Sequence, residues 1–320
     1  MKRFKMVTWA AALALLVALG TARPVAAGNY KGFERGEALI TAQQLKKMVD
    51  GKDSKLVLIA VMNPVTYKLG HIPTSLNVWR SDYEPKENEP FPFEGMILNR
   101  PDFERFARKL GINNDSKVVI YDDKYDATRL WWAFFIYGKT DVRILDGGYQ
   151  GWKAEGYDSD MAVFNPSADE TGNFVAKPRR ATMIASMDDV WRAKTDPEIQ
   201  LWDNREKKEW TGEELKKGAY RKGRIPWAQY FSWKDFKEPV GDEKNPTLFK
   251  DASAMREVVK KHGMDPNKMQ IFYCQSGVRT TTLMFSLYLL GWDPDKLCNY
   301  DGSWIEWSYY AENPLVVDAG

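Results

Sequence analysis

The sequence predicts an α/β protein of two similar halves, each a parallel sheet flanked by helices. Three observations carry this. Short apolar runs bounded by loop residues alternate with helical stretches along most of the 320 residues, the pattern of a parallel sheet covered on both faces. The length suits two domains. The order of elements also occurs twice. Composition is that of an ordinary globular chain, 44% hydrophobic and 28% charged, with ample material for a core and no bias toward disorder. The 13 tryptophans are read as core and interdomain packing.

Residues 1–27 read as a secretory signal peptide. Lys2, Arg3 and Lys5 form a basic start, Met6 to Leu19 an apolar run, and Val25-Ala26-Ala27 a small-residue cleavage site before Gly28. The apolar run is short for the roughly 20 residues a membrane span needs, so no stable membrane insertion is expected after cleavage. Removing Lys2, Arg3, Lys5 and Arg23 takes the formal charge from +2 to −2. A near-neutral mature chain offers no field for nucleic acid. An exported, periplasmic or secreted location follows.

Residues 28–157 form the first half. Lys55 to Ile59 reads as a strand, followed by the turn Gly70-His71-Ile72-Pro73 and a second strand, Val118 to Asp122. The segment 158–180, with Pro166, Gly172 and Pro178, reads as an extended linker. Residues 181–320 repeat the pattern. Ile199 to Trp202 matches the first strand, and Gly223-Arg224-Ile225-Pro226 matches the turn. Gln270 to Tyr273 matches the strand ending at Asp122, and Asp301-Gly302-Ser303-Trp304 matches Asp146-Gly147-Gly148-Tyr149.

The halves differ where the chemistry would sit. Cys274 follows the strand Gln270–Tyr273, and a short loop leads into a helix from Thr280 to Leu290 closed by Gly291. A cysteine there faces main-chain N–H groups and the positive end of a helix, an environment that suits a sulfur anion. The alternative is a buried structural cysteine. In the first half Asp122 takes its place, and a carboxylate cannot hold a second sulfur. Four residues separate Cys274 from Arg279. Cysteine phosphatases need a loop one residue longer to wrap a tetrahedral phosphate, which counts against a phosphatase or arsenate reductase. Neither His71 nor His262 forms a recognisable dyad with Cys274, which counts against a papain-like protease. No His/Cys cluster has metal-ligand spacing, and no metal or cofactor is implied. Cys298 lies on the strand after the helix and is expected to be a free core thiol, not a disulfide partner of Cys274.

The pattern Cys-x-x-Gly-x-Arg-Thr after a strand resembles the active-site loop of rhodaneses, and the repeat extends the resemblance to tandem-domain rhodaneses across nearly the whole mature chain. Tyr121-Asp122 with Arg129-Leu130-Trp131-Trp132, and Asp146-Gly147-Gly148, are similar to that family's non-catalytic domain. The resemblance implies a sulfurtransferase with a persulfide on Cys274, held by the loop Gln275, Ser276, Gly277, Val278, Arg279 and Thr280. It implies a small-molecule sulfur donor such as thiosulfate or 3-mercaptopyruvate, and a thiol or cyanide acceptor. A sulfur carrier serving a protein acceptor of the cell envelope is a second reading. Neutral Gln275 and Ser276 resemble the mercaptopyruvate type, whereas Arg279 resembles single-domain members. Arg205 is a candidate anion ligand and Asp203 its structural support. Arg279 is either an anion ligand or the partner of a structural carboxylate. The charged stretch Glu206 to Lys222 reads as solvated surface, Arg224 as a residue orienting its turn, and Arg129 as a position of lesser weight.

Overall fold

The computed structural model describes residues 27–85, 92, 94–241 and 246–318. The signal peptide read from the sequence lies outside these, apart from Ala27. In the first half the elements run β1 (Leu39–Ile40), α1 (Ala42–Asp50), β2 (Leu56–Val61), α2 (Pro64–Leu69), β3 (Leu76–Val78), α3 (Arg100–Lys109), β4 (Lys117–Asp122), α4 (Ala127–Ile136), β5 (Arg143–Leu145) and α5 (Gly148–Ala154). The second half runs β6 (Ile184–Ala185), α6 (Met187–Arg192), β7 (Ile199–Asp203), α7 (Lys207–Thr211), β8 (Gln229–Tyr230), β9 (Lys237–Glu238), β10 (Leu248–Phe249), α8 (Ala252–His262), β11 (Met269–Tyr273), α9 (Thr280–Leu289), β12 (Leu297–Tyr300) and α10 (Ser303–Tyr309).

Each half is built on a five-stranded parallel sheet, in the orders β1-β5-β4-β2-β3 and β6-β12-β11-β7-β8. The orders superimpose element by element, so the repeat seen in the sequence is a repeat of topology. Register agrees: Ala60 pairs with Tyr121 as Asp203 pairs with Tyr273. The two turns also correspond, since the Ile72 N–H donates to the Tyr121 hydroxyl and the Ile225 N–H to that of Tyr273. A small antiparallel pair, β9 with β10, stands apart.

Successive strand residues point to opposite faces, and the core divides accordingly. Leu58, Ala60, Val119 and Tyr121 pack outward under α1 and α5. Ile271, Tyr273 and Cys298 pack outward in the second half. The inner faces share one cluster that holds Ile59 and Ile120 together with Phe272 and Leu283. Helices α4 and α9 lie in this shared layer and are buried on nearly every side, which suits their largely apolar sequences. They pack on each other through Trp131, whose ring centroid is 4.8 Å from that of Phe285 and 5.3 Å from that of Tyr288.

The segment read as a linker is extended as expected, but it is bonded to the first half along its course. Asp160 forms a two-way bridge with His71, the Asn77 N–H donates to Phe164, and Phe174, Lys177 and Arg180 donate to Ile112, Tyr137 and Ile136. The C-terminal tail repeats the first of these contacts, with Val316 bridged to Arg224.

Candidate functional site

Strand β11 delivers Cys274 to the end of the second sheet, where it is buried. Its N–H donates to the Ser303 hydroxyl at 3.1 Å, and its carbonyl accepts from the Trp304 N–H at 3.0 Å. The start of α10 therefore braces the cysteine's main chain from behind. Ser303 sits at φ +51°, a cost of order 1–3 kcal/mol for a non-glycine residue that surrounding bonds must offset. Its counterpart Gly148 has φ +54°, and an added Cβ would come within 2.5 Å of the Asp122 carbonyl.

The loop from Gln275 to Thr280 curls in front of the sulfur. Among the described residues, none accepts a hydrogen bond from the main-chain N–H of Gln275, Ser276, Gly277, Val278, Arg279 or Thr280. Buried N–H groups are normally paired. A row of unclaimed donors at the N-terminus of α9 suits an anion at the cysteine. Gly277, at φ +68°, makes the turn possible, since a Cβ there would meet the Asp301 carbonyl at 2.8 Å. Its carbonyl accepts from Asn299 Nδ2 at 3.1 Å and from Arg129 at 3.2 Å. The Thr280 hydroxyl donates to Asn299 Oδ1 at 2.7 Å, and Gln275 Nε2 reaches the Lys217 carbonyl.

The candidate cations are placed differently from the anion-ligand reading. Arg279 makes a bidentate pair with Glu209, at 2.7 and 2.9 Å, and both side chains are buried. Burial alone would push the Glu209 carboxyl up. The hydrogen bond and charge of Arg279, with Lys216 and Arg205 adding, overcome this and bring it down to about 2. Arg205 lies flat against Asp203, its Nη2 2.6 Å from Oδ2, and donates to the Gly223 carbonyl at 2.8 Å. The Trp304 ring covers it at 4.5 Å. Each guanidinium thus has a protein carboxylate as its partner, and Cys274 is among the groups whose charge acts on Arg279. Asp203 supports its loop as read from the sequence, since it also accepts from the Arg205 N–H. The stretch Glu206–Lys222 is corrected at Glu209, which is buried because it is the counter-charge of Arg279. It also accepts from the Glu206 N–H at 3.1 Å at the start of α7.

Arg129, read as a position of lesser weight, makes contacts that the sequence did not suggest. Its guanidinium crosses to the second half and pairs with Asp301, and it also donates to the carbonyls of Gly277 and, at 2.8 Å, Gly95. Nothing in the local sequence around Arg129 foretold this, because its partners lie on other elements. The two halves exchange a matching contact. The Ile97 N–H donates to Asp301 at 2.9 Å, and the Phe249 N–H to Asp146 at 2.8 Å. In the first half Lys31 takes the clamping role, 2.6 Å from Asp146.

Asp122 stands at the end of β4 with its carboxylate accepting from the Ala127 N–H at 2.6 Å. Burial pushes its carboxyl up, against the pull of Lys237. This half offers a side-chain acid that consumes the loop N–H, where the other half leaves its N–H groups open. His71 bonds the Tyr67 carbonyl and stacks on that ring. His262 stacks on Phe231 at the end of α8. Arg224 covers the Trp210 ring and pairs with Asp318. Both cysteines are free. Cys298 donates to the Thr182 carbonyl, and burial pushes its thiol up to about 12.

Comparison with known proteins agrees with the repeat. Residues 41–155 and 186–309 each match the family described as Rhodanese-like domain. Sulfur carrier protein TtuD of Thermus thermophilus is 30% identical over 305 residues, which cover 89% of this chain and 98% of that protein. Thiosulfate sulfurtransferase of Bos taurus is 30% identical over 245 residues, covering 75% and 78%. The solved anaerobic ergothioneine biosynthesis enzyme from Chlorobium limicola shares the fold, with a TM-score of 0.75 at 21% identity over 90% of this chain and 72% of that one. The chain belongs to the rhodanese-like family and carries that domain twice.

Proposed function

We propose that the protein is a sulfurtransferase whose second half carries sulfur as a persulfide on Cys274. The observation that carries this is the row of unclaimed N–H donors from Gln275 to Thr280 around one cysteine, against Asp122 in the other half. The Cys274 thiolate attacks the outer sulfur of a donor such as thiosulfate. An S–S bond forms to the cysteine, the donor's own S–S bond breaks, and sulfite leaves with that bond's electron pair. The persulfide anion then lies among the loop N–H groups, fixed dipoles that need no reorganisation. A thiol or cyanide acceptor attacks the outer sulfur and returns the thiolate. 3-Mercaptopyruvate serves as donor through its C–S bond instead: its sulfur bonds to the cysteine, the C–S electron pair leaves with the carbon as pyruvate enolate, and the proton of the donor's thiol goes to that carbon to give pyruvate. The relatives named thiosulfate sulfurtransferase and sulfur carrier support this chemistry. The four-residue separation of Cys274 and Arg279 supports it over phosphate chemistry, which needs a longer loop.

Intact mass spectrometry after incubation with thiosulfate or 3-mercaptopyruvate tests the reading. Wild type gains one sulfur and Cys274→Ser gains none; an adduct that survives in Cys274→Ser overturns it. A sulfur carrier for an envelope protein is a second reading, supported by the burial of Cys274 and by the relative named as a carrier. Cyanide separates the two: a free enzyme turns over repeatedly, while a carrier discharges its sulfur only to a protein. The proposal includes export, with cleavage before Gly28, which the N-terminal sequence of the mature protein checks.

A further inference from the structure

We propose that Arg129, a residue of the half without the cysteine, is a positioning residue that orients the Val278 N–H toward the sulfur of Cys274. The inference rests on the sulfur-transfer reading and adds a role for the first half. A peptide unit is planar and trans, so its C=O and N–H point in opposite directions. Whatever fixes the Gly277 carbonyl therefore fixes where the Val278 N–H points. That carbonyl is held by two donors from outside the loop's own segment, Arg129 at 3.2 Å and Asn299 at 3.1 Å. The Val278 N–H has no acceptor among the described residues.

Gly277, at φ +68°, has little of its own to hold this plane, because glycine occupies both signs of φ readily. The orientation must come from outside, and Arg129 supplies it from a fixed point. It is fully buried, pairs with Asp301, covers the Trp132 ring at 4.7 Å and ties down the Gly95 carbonyl. A cation on the carbonyl also polarises the peptide and strengthens its N–H as a donor. Asn299 alone is neutral, and its amide also reaches Asp301 at 3.4 Å, so it cannot replace the charge.

The test compares three proteins. In Arg129→Met/Asp301→Asn both charges of the pair are removed together, so no buried charge is stranded. Lys31→Met removes the corresponding clamp on Asp146 at the far end of the same interface. Each is measured for single-turnover sulfur loading at saturating donor, for Cys274 alkylation by iodoacetamide, and for thermal unfolding. The double variant is expected to load sulfur and to alkylate at least tenfold more slowly per folded molecule, about the lower end of what one charge-assisted donor contributes. Lys31→Met is expected to lose stability while keeping both rates. Equal rates in wild type and the double variant would overturn the proposal. So would an equal slowing in Lys31→Met, which would show that interface tightness alone governs the loop. A wild type that takes sulfur from no donor faults the sulfur-transfer reading instead, and the alkylation rates still decide the role of Arg129.

Discussion

Cys274 was legible because everything that marks it is local: a strand before it, a glycine within its loop and a helix after it. The arginines were not, because a guanidinium's role depends on its partner, and Glu209 lies 70 positions from Arg279. That pair gives a direct prediction. Arg279→Met strands a buried carboxylate and should cost about 3–5 kcal/mol, whereas Arg279→Met/Glu209→Gln should recover most of it. Urea unfolding measures both. A large loss of donor capture with unchanged stability would restore Arg279 to the substrate. Acid should act on the same pair. The Glu209 carboxyl is depressed to about 2 in the folded state, against about 4.3 unfolded. Its contribution is therefore complete above the unfolded value and lost as pH falls from there toward 2. Wild type should lose stability faster than Glu209→Gln across that window, in unfolding midpoints taken at stepped pH.

At the scale of elements, the strands and the α9 helix fell within a residue or two of their expected places, because apolar periodicity and the glycine at 291 mark their ends. The loops between them depend on tertiary partners. Gly277 shows this: its spacing was visible, but the reason no other residue fits is the Asp301 carbonyl 2.8 Å from where a Cβ would sit. Gly277→Ala should cost about 1–3 kcal/mol and slow sulfur loading more than it lowers stability, since the strain falls on the donor loop. Loading kinetics and thermal unfolding of the same preparation check the order. An alanine variant that loads normally would mean the loop relaxes without losing its N–H geometry. The linker's extended form was likewise legible from its prolines, while its bonding to α3 and α4 was not, because main-chain pairing of irregular segments leaves no pattern in side chains.

For the whole molecule, the repeat was legible and the docking was not. Two copies of a pattern say nothing about which faces meet. The structure answers with one cluster shared by both inner faces and with Trp131 at its centre. Chains of two domains commonly unfold in steps. Here a single transition is expected, because neither half keeps a covered inner face without the other. Trp131→Ala should lower stability by about 3–5 kcal/mol and leave unfolding as one step, in calorimetry and fluorescence alike. Two separated transitions in the wild type would show that each half holds its own core.

The linker described above runs bonded to the first half from Asp160 to Arg180 and then to Asp295 of the second, at 2.5 Å. No slack remains in it for a hinge. The entropy of bringing the two halves together has therefore been met once, at folding. On the proposed sulfur-transfer reading, a donor therefore meets the Cys274 loop and its Arg129 buttress already assembled.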